Sequence, residues 1–462
     1  MDKMQDMKKI FVYMFFLATV LYSCDDYLDV TPKGKLLPVS TQDFSEMMGD
    51  PVLPSEAYPL IDVMSDNCKM EDARLASSFM SSSGKAYLWQ DDFFTKTEDD
   101  PIWNDAYGVI YTCNLVAERI DGATGGTDVD KKRVKAEARF NRAYYYWWLH
   151  SCYAKAYDPE TASEDLSVPL RLTSDLEIKL SRATSDKVVA QLLEDIKNPE
   201  DLPEKASSLY RVNRGGAYAL CARIYLFLGD YENALNYAEL ALEQNSNLLD
   251  YNTYSFKNPQ NPSSGVNNRP TNPWESPEVL LFRGDGFNDL FSSFSTSEEL
   301  VASYDTLVDL RYKFNYTRLN RSGKPREEKT PAFLHKFDFS IGVPEMLLTK
   351  AECLARKNDR ECLKVLDLLR ENRIQESAYE PLDVPNDKLL QTVLDERRRE
   401  LVYQGLRLFD MKRLCKEGIY TKTLTRTFKG ETFSLAPNSN QYLVPISAKL
   451  MTLNNNILPN PR

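Results

Sequence analysis

The chain has 462 residues, of which 42% are hydrophobic and 27% charged, and its formal net charge is −11. That length accommodates one large domain or two to three ordinary ones, and the composition is that of a folded soluble protein. The acidic balance excludes a dedicated nucleic-acid binder, which needs a basic face to displace counterions from phosphates.

The chain opens with a leader. Lys3, Lys8 and Lys9 precede the apolar run Ile10 to Leu21. A helix that spans a bilayer takes about 20 apolar residues, so this run has the length of the middle of a secretory signal instead. Small Ser23 then meets Cys24, a thiol placed to accept a diacylglycerol before the peptidase cuts. Residues 1–23 are expected to be a lipoprotein signal peptide. Residues 24–40 are expected to be a lipidated start and tether, in which Pro32, Gly34 and Pro38 break any helix. No later stretch reaches the ~18 apolar residues of a membrane span, so the lipid is expected to be the sole anchor.

Helical periodicity begins near Thr41 and returns strongly at Trp103 to Ile120 and Lys131 to Tyr153. Residues 134–154 read as one helix, and residues 185–198 as another that starts on a Ser/Asp cap. In residues 215–245, Ala219, Ala222, Ala234, Ala238 and Ala241 recur at helical steps, with Gly229 and Asp230 breaking the pattern midway. This predicts two antiparallel helices in close approach. Tyr225, Gly229, Tyr231, Ala234 and Ala241 stand at the spacing of a tetratricopeptide unit, which the segment resembles. Residues 344–373 predict a further hairpin turning at Asn358 and Asp359, and residues 386–405 a capped helix ending at Gly405. Helical pairs stack to bury faces that no single pair covers, so a helical scaffold is expected.

Between the helices the chain changes character. Residues 251–296 are rich in Pro, Asn, Gly and Ser with interleaved aromatics, and residues 61–103 are similar. Irregular stretches of such length in a compact protein are more often functional than idle. Beyond Cys24 lie Cys68, Cys113, Cys152, Cys221, Cys353, Cys362 and Cys415, without a CxxC pair. A zinc or redox site is therefore unsupported, and the thiols read as mostly small buried hydrophobes, with a Cys353–Cys362 pairing left open.

Several segments taken in order resemble one family, the SusD/RagB-like lipoproteins of Gram-negative outer membranes. They are Cys24 with the acidic residues and "YLDVTPKG" behind it, "WNDAYGVIYTCNLVAERI", "KAEARFNRAYYYWWL" running on to "VPL" at Val168 to Leu170, and the 215–245 hairpin. "SEELVASYDTLVDLRY", "DERRRELVYQGLRLFDMKRL" and the closing "YLVPISAKLMTLNNNILPNP" complete the set. The resemblance implies a mostly α fold, in which tetratricopeptide-like hairpins carry long irregular loops and a few short strands. Residues 41–462 would form a single domain with loop-rich insertions near 61–103 and 251–300. It implies a protein on the outer face of the outer membrane that captures an oligosaccharide and delivers it to a SusC-like TonB-dependent transporter. A peptide-capturing member and a periplasm-facing repeat scaffold are the alternatives. In such a family Asp25, Asp26 and Asp29 look like part of a surface-export signal.

No enzyme is expected. GxSxG, HExxH and a complete phosphate loop are all absent, and there are 2 histidines, of which His150 reads as a packed residue. No cofactor is expected either. Asp91, Asp92, Asp99 and Asp100 are weak Ca²⁺ candidates that a solvated acidic loop explains better. Sugar capture needs flat aromatic faces and hydrogen-bonding side chains. Trp89 and Trp274, with Asp66, Asn67, Asn272, Arg283 and Asp285, are the candidates in the irregular segments. The cluster Glu396, Arg397, Arg399, Glu400, Arg407, Asp410 and Arg413 falls at i,i+3 helical spacings and reads as a structural ion-pair lattice.

Overall fold

The computed structural model describes residues 38–53, 60–208, 210–284, 294–334 and 338–462. The signal peptide, Cys24 and nearly all of the tether lie outside them, as do Asp285 and His335. Long helices form the frame: α1 (Pro101–Arg119), α2 (Asp128–Tyr153), α3 (Ser185–Asp195), α4 (Arg214–Leu228), α5 (Tyr231–Gln244), α6 (Val343–Arg356), α7 (Glu361–Arg370), α8 (Leu389–Glu400) and α9 (Arg407–Lys416). Their starts are chemically marked. Asp100 accepts from the Trp103 amide and is followed by Pro at the first helical position, while Thr127 and Asp130 form a capping box on α2.

The α4–α5 hairpin forms as its sequence predicts. Gly229 ends α4 in the left-handed region at φ 78°, and Asp230 caps α5 by accepting from the Asn233 amide at 3.1 Å. Ala234, Ala238 and Ala241 are fully buried, which brings the helices close enough for Tyr225 and Tyr237 to stack at 5.6 Å. The α6–α7 hairpin turns at Asn358, φ 58°, again as expected. Consecutive helices pack α1 on α2, α2 on α3, α4 on α5 and α6 on α7. Helix α5 packs on α6 across a long excursion, residues 245–342, and α6 packs on α8.

Helix α2 is the centre of the molecule. Every residue from Phe140 to Tyr153 is buried, so this half of the helix has no solvent face. Trp147 meets Phe227 at 5.5 Å, Trp148 meets Phe409 at 5.6 Å, and Trp103 meets Tyr153 at 5.2 Å. Its buried charged groups are paired, while Trp147 Nε1 and His150 Nε2 are buried without a partner among the described residues. Arg142 donates to Asp195 from Nε at 2.8 Å and to Asn114 at 2.8 Å. His150 Nδ1 lies 2.9 Å from Ser167 Oγ, and burial pushes its pKa down to about 3, so the ring is neutral and packed.

The excursion carries short strands: β1 (Ser255–Phe256) pairs with β2 (Val266–Asn267), and β3 (Val279–Leu281) pairs antiparallel with β4 (Ile341–Gly342). The second pair returns the chain to the frame where α6 begins. Near the C-terminus β5 (Leu424–Phe428) and β6 (Glu431–Leu435) form a hairpin.

Several expectations need correction. Residues 61–103 are less irregular than their composition suggests, with short helices at Leu60–Met64, Asp72–Ser78 and Ser82–Tyr87. Helix α3 takes Thr184, without a side-chain cap bond, as its N-cap. Helix α8 ends at Glu400, five positions before the glycine, because Tyr403 (φ 58°) and Gly405 (φ 70°) fold the following turn. All seven described cysteines are free and buried, Cys353 and Cys362 included. Among the described residues no helix is long and apolar enough to cross a membrane.

Candidate functional site

Most of the residues selected for ligand contact are interior. Trp89 is 1% exposed, its indole N–H donates to the Met64 carbonyl at 2.9 Å, and Arg426 lies 4.1 Å from its ring centre. No face remains for a sugar. Arg283 is 0% exposed, donates to Asn141 Oδ1 at 2.7 Å and lies over the Tyr144 ring at 4.6 Å. Asp66 is buried and takes two bonds of 2.8 Å from Arg407, while Asn67 Oδ1 accepts from Arg398 Nε at 2.9 Å. Burial works against the Asp66 charge, but Arg407 and Arg398 hold its carboxyl well below the usual carboxylate range. Trp89, Asp66 and Asn67 tie the segment around residue 65 to other parts of the chain, Arg283 ties the excursion to α2, and none of the four faces a ligand. Asp285 lies outside the described residues. Trp274 is half-buried, its ring edge-on to Phe282 at 5.7 Å.

The acidic and basic residues of α8 and α9 do form a lattice, with partners that i,i+3 spacing only partly foretells. Glu396 pairs with Arg399 at 2.7 Å and Asp410 with Arg413 at 2.9 Å, both within one helix. Arg397 instead reaches Asp410 at 2.9 Å, and Arg407 reaches Asp66. Glu400 accepts from Arg311 at 2.9 Å and from Arg373 at 2.9 Å. Glu352 on α6 receives both terminal nitrogens of Arg413. Each side chain is spent on another, which leaves no acid–base pair facing an opening. Three of the four aspartates considered for Ca²⁺ are also occupied: Asp92 holds Lys85, Asp99 holds Lys449, and Asp100 accepts from the Tyr153 hydroxyl. No cluster of metal-ligating side chains occurs among the described residues.

The opening that fits a ligand lies along the seam between the excursion and the frame. It is a cleft of about 480 Å³. One wall comes from the excursion, with Tyr251, Tyr254, Lys257, Arg269 and Asn272; the other comes from Glu345 on α6 and from Glu400 to Gln404 beyond α8. Tyr251 and Tyr254 stack at 4.6 Å, with Arg373 over the first ring at 4.4 Å and Arg269 over the second at 5.2 Å. Burial raises the pKa of both phenols, so both hydroxyls keep their protons and offer a donor as well as an acceptor. Neither hydroxyl meets a protein partner among the described residues. Of the residues selected for ligand contact only Asn272 lines this cleft, where it also accepts and donates within a capping box with Glu275, and Glu400 of the ion-pair lattice lines it too. The tyrosines lie inside the irregular stretch that the sequence marks as functional, three positions apart in "YNTY". Their stacking depends on Arg373 and Arg269 from elsewhere, which no local pattern reveals. A cleft so lined offers hydrogen-bond donors, acceptors and ring surface to a polar ligand.

Two family models match the chain and together cover more than half of it: one described as "Starch-binding associating with outer membrane" over residues 26–226, and one of the SusD family over residues 343–462. SusD-like protein P2 of Formosa agariphila is 22% identical over 79% of this chain and 82% of its own length. A SusD superfamily protein of Bacteroides thetaiotaomicron superposes with a TM-score of 0.69 at 18% identity, over 92% of this chain and 100% of that one. The surface glycan-binding protein A of Bacteroides uniformis does so at 0.67 and 18%, over 91% and 98%. The helical frame, the order of the sequence motifs and both family models agree, and the chain belongs to the SusD/RagB-like family.

Proposed function

We propose that the protein captures a glycan at the cell surface, where a lipid on Cys24 tethers it, and passes the glycan to a SusC-like TonB-dependent transporter in the outer membrane. The observation that carries this reading is the cleft of about 480 Å³ between a rigid helical frame and a loop-rich excursion, walled by tyrosine hydroxyls and charged hydrogen-bonding groups. Sugars are held by such convergent polar groups together with apolar ring surface. The ion-pair lattice that absorbs the chain's conspicuous acids and bases supports binding without bond cleavage. Membership of a family whose model is described as starch-binding and associated with the outer membrane supports both ligand class and location.

Glycan-array binding of the purified protein tests the reading directly, with Trp274→Ala and Tyr254→Phe as variants. Binding to at least one saccharide class is expected, weakened in Tyr254→Phe by the lost hydroxyl. Binding only to peptides would overturn the ligand class. On intact cells, added protease is expected to cut the protein, and Cys24→Ala is expected to release it from the membrane fraction. A protected chain would place it on the periplasmic side.

A further inference from the structure

The charges that line the cleft are not balanced in the way the whole chain is. Its carboxylates are almost all spent. Glu278 accepts from Arg373 at 2.7 Å, Glu400 from Arg373 and Arg311, and Glu345 from Arg223 Nε at 2.8 Å. Asp338 accepts from the Ser340 amide at 3.0 Å, and burial pushes its carboxyl above the usual range, towards the neutral form.

The cations on the opposite wall are in another condition. Arg269 donates only to neutral acceptors, the Phe314 carbonyl at 3.3 Å and Asn315 Oδ1 at 2.6 Å, and its Nε has no partner. Lys257 is exposed and makes no ion pair among the described residues. The antiparallel pairing of β1 with β2 spaces the two along one wall: Lys257 lies at the turn end, opposite Gly265, and Arg269 lies past the other end of the ladder, beyond Asn267. Lys257 is also held in place. Its side chain lies across Gly265, where an added Cβ would come within 3.5 Å of Lys257 Cδ and 3.7 Å of Nζ, and Gly265 itself has φ 106°. The Lys257 amide donates to the Gly265 carbonyl at 3.0 Å. A chain of net charge −11 thus keeps two cations without carboxylate partners at separate points on the wall of its cleft.

We propose that the cleft selects anionic saccharides, with uronate carboxylates or sulfate esters at different points of the ligand taken up by Lys257 and by Arg269. The inference rests on the glycan-capture reading of the same cleft. A guanidinium fork matches the oxygens of either anion, and the ammonium offers a point charge to a second anionic group. Glu278, Glu345 and Glu400 do not oppose the ligand, because each already faces an arginine.

The test is titration calorimetry of the purified full chain with three probes of equal length: tetragalacturonate, a sulfated galactan tetrasaccharide and neutral galactotetraose. At about 0.05 M NaCl at least one acidic probe is expected to bind about tenfold or more tightly than the neutral one, and at about 0.5 M this advantage is expected to shrink. Whichever acidic probe binds identifies the anion. Lys257→Met is expected to weaken the acidic probes far more than the neutral one and so remove most of the preference, and Lys257→Arg to restore it; both variants should keep the parent melting temperature, because the side chain is exposed. The proposal is overturned if the neutral probe binds as well as both acidic ones, if Lys257→Met weakens all probes equally or none, or if only neutral glycans bind on a wider array. Absence of binding to any saccharide, charged or neutral, overturns the capture reading itself, and the charge preference with it.

Discussion

Asp62 shows how one buried carboxyl sets a pH dependence. It is 0% exposed, one oxygen accepts from the Gly405 amide at 3.2 Å, and the other has no partner. Burial raises its pKa from 3.8 to about 7. The folded state therefore holds a proton that the unfolded chain releases near 3.8, and the contribution to stability is full below that value and lost as the pH rises towards 7. The slope is about 1.4 kcal/mol for each pH unit across the window. Asp62→Asn should flatten the fall in melting temperature between these pH values; an unchanged profile would show that the carboxyl is ionised in the fold. Glu352 and Glu396 act in the opposite sense. Burial opposes their charge, but Arg413 and Arg311 bring both down to about 2, so their contribution is full above 4.5 and lost as the pH falls towards 2. Arg373 is 0% exposed and holds Glu278 and Glu400 together. Arg373→Met leaves two buried carboxylates without that cation and should cost about 3–5 kcal/mol in urea denaturation. At this scale the sequence is least legible. Trp89 and Trp274 both stand among loop-forming residues, yet one anchors the core and the other is half-buried near the cleft. The difference lies in Arg426 and Met64, which meet Trp89 only after folding.

Helices, by contrast, announce themselves. The alanine spacing and the Gly229–Asp230 break give α4 and α5 nearly to the residue, because small side chains at helical steps have no other efficient use. Gly229 sits at φ 78° with nothing near a would-be Cβ. Gly229→Ala should therefore cost about 1 kcal/mol through backbone strain alone, measured as a lower denaturant midpoint at an unchanged slope. A larger loss would mean that the turn has a packing role. Helix α8 is the instructive miss. Its apolar and charged periodicity runs on to Gly405, but Leu401 to Leu406 fold into a turn that seats Tyr403 against Phe333 at 4.9 Å and Phe294 at 5.3 Å. Those rings come from a distant part of the chain, so tertiary contacts overrule the local pattern. The cleft depends on this turn, since Leu401, Val402, Tyr403 and Gln404 form part of its wall.

For the molecule as a whole, rigidity is concentrated in α2 and the lattice, while the excursion is held by strands of two or three residues, 3₁₀ turns and the short helices Glu298–Ala302 and Leu310–Asn315. Hydrogen exchange should follow that division. Amides from Phe140 to Tyr153 are expected among the slowest, and those from Lys257 to Glu275 to exchange sooner by orders of magnitude. Equal protection would mean that the excursion is as stiff as the frame. The fold class is readable from the sequence because it rests on repeated local patterns; the cleft is not, because it is the seam left where two distant segments fail to fill the space between them. The contact between Asp66 and Arg407 joins residues 341 positions apart, and Arg426 holds the carbonyls of Val63 and Ser65 in the same way. The early part of the chain thus has no finished partner surface until its far end has been made. A polypeptide built like this closes its opening segment only when its last hundred or so residues are in place to receive it.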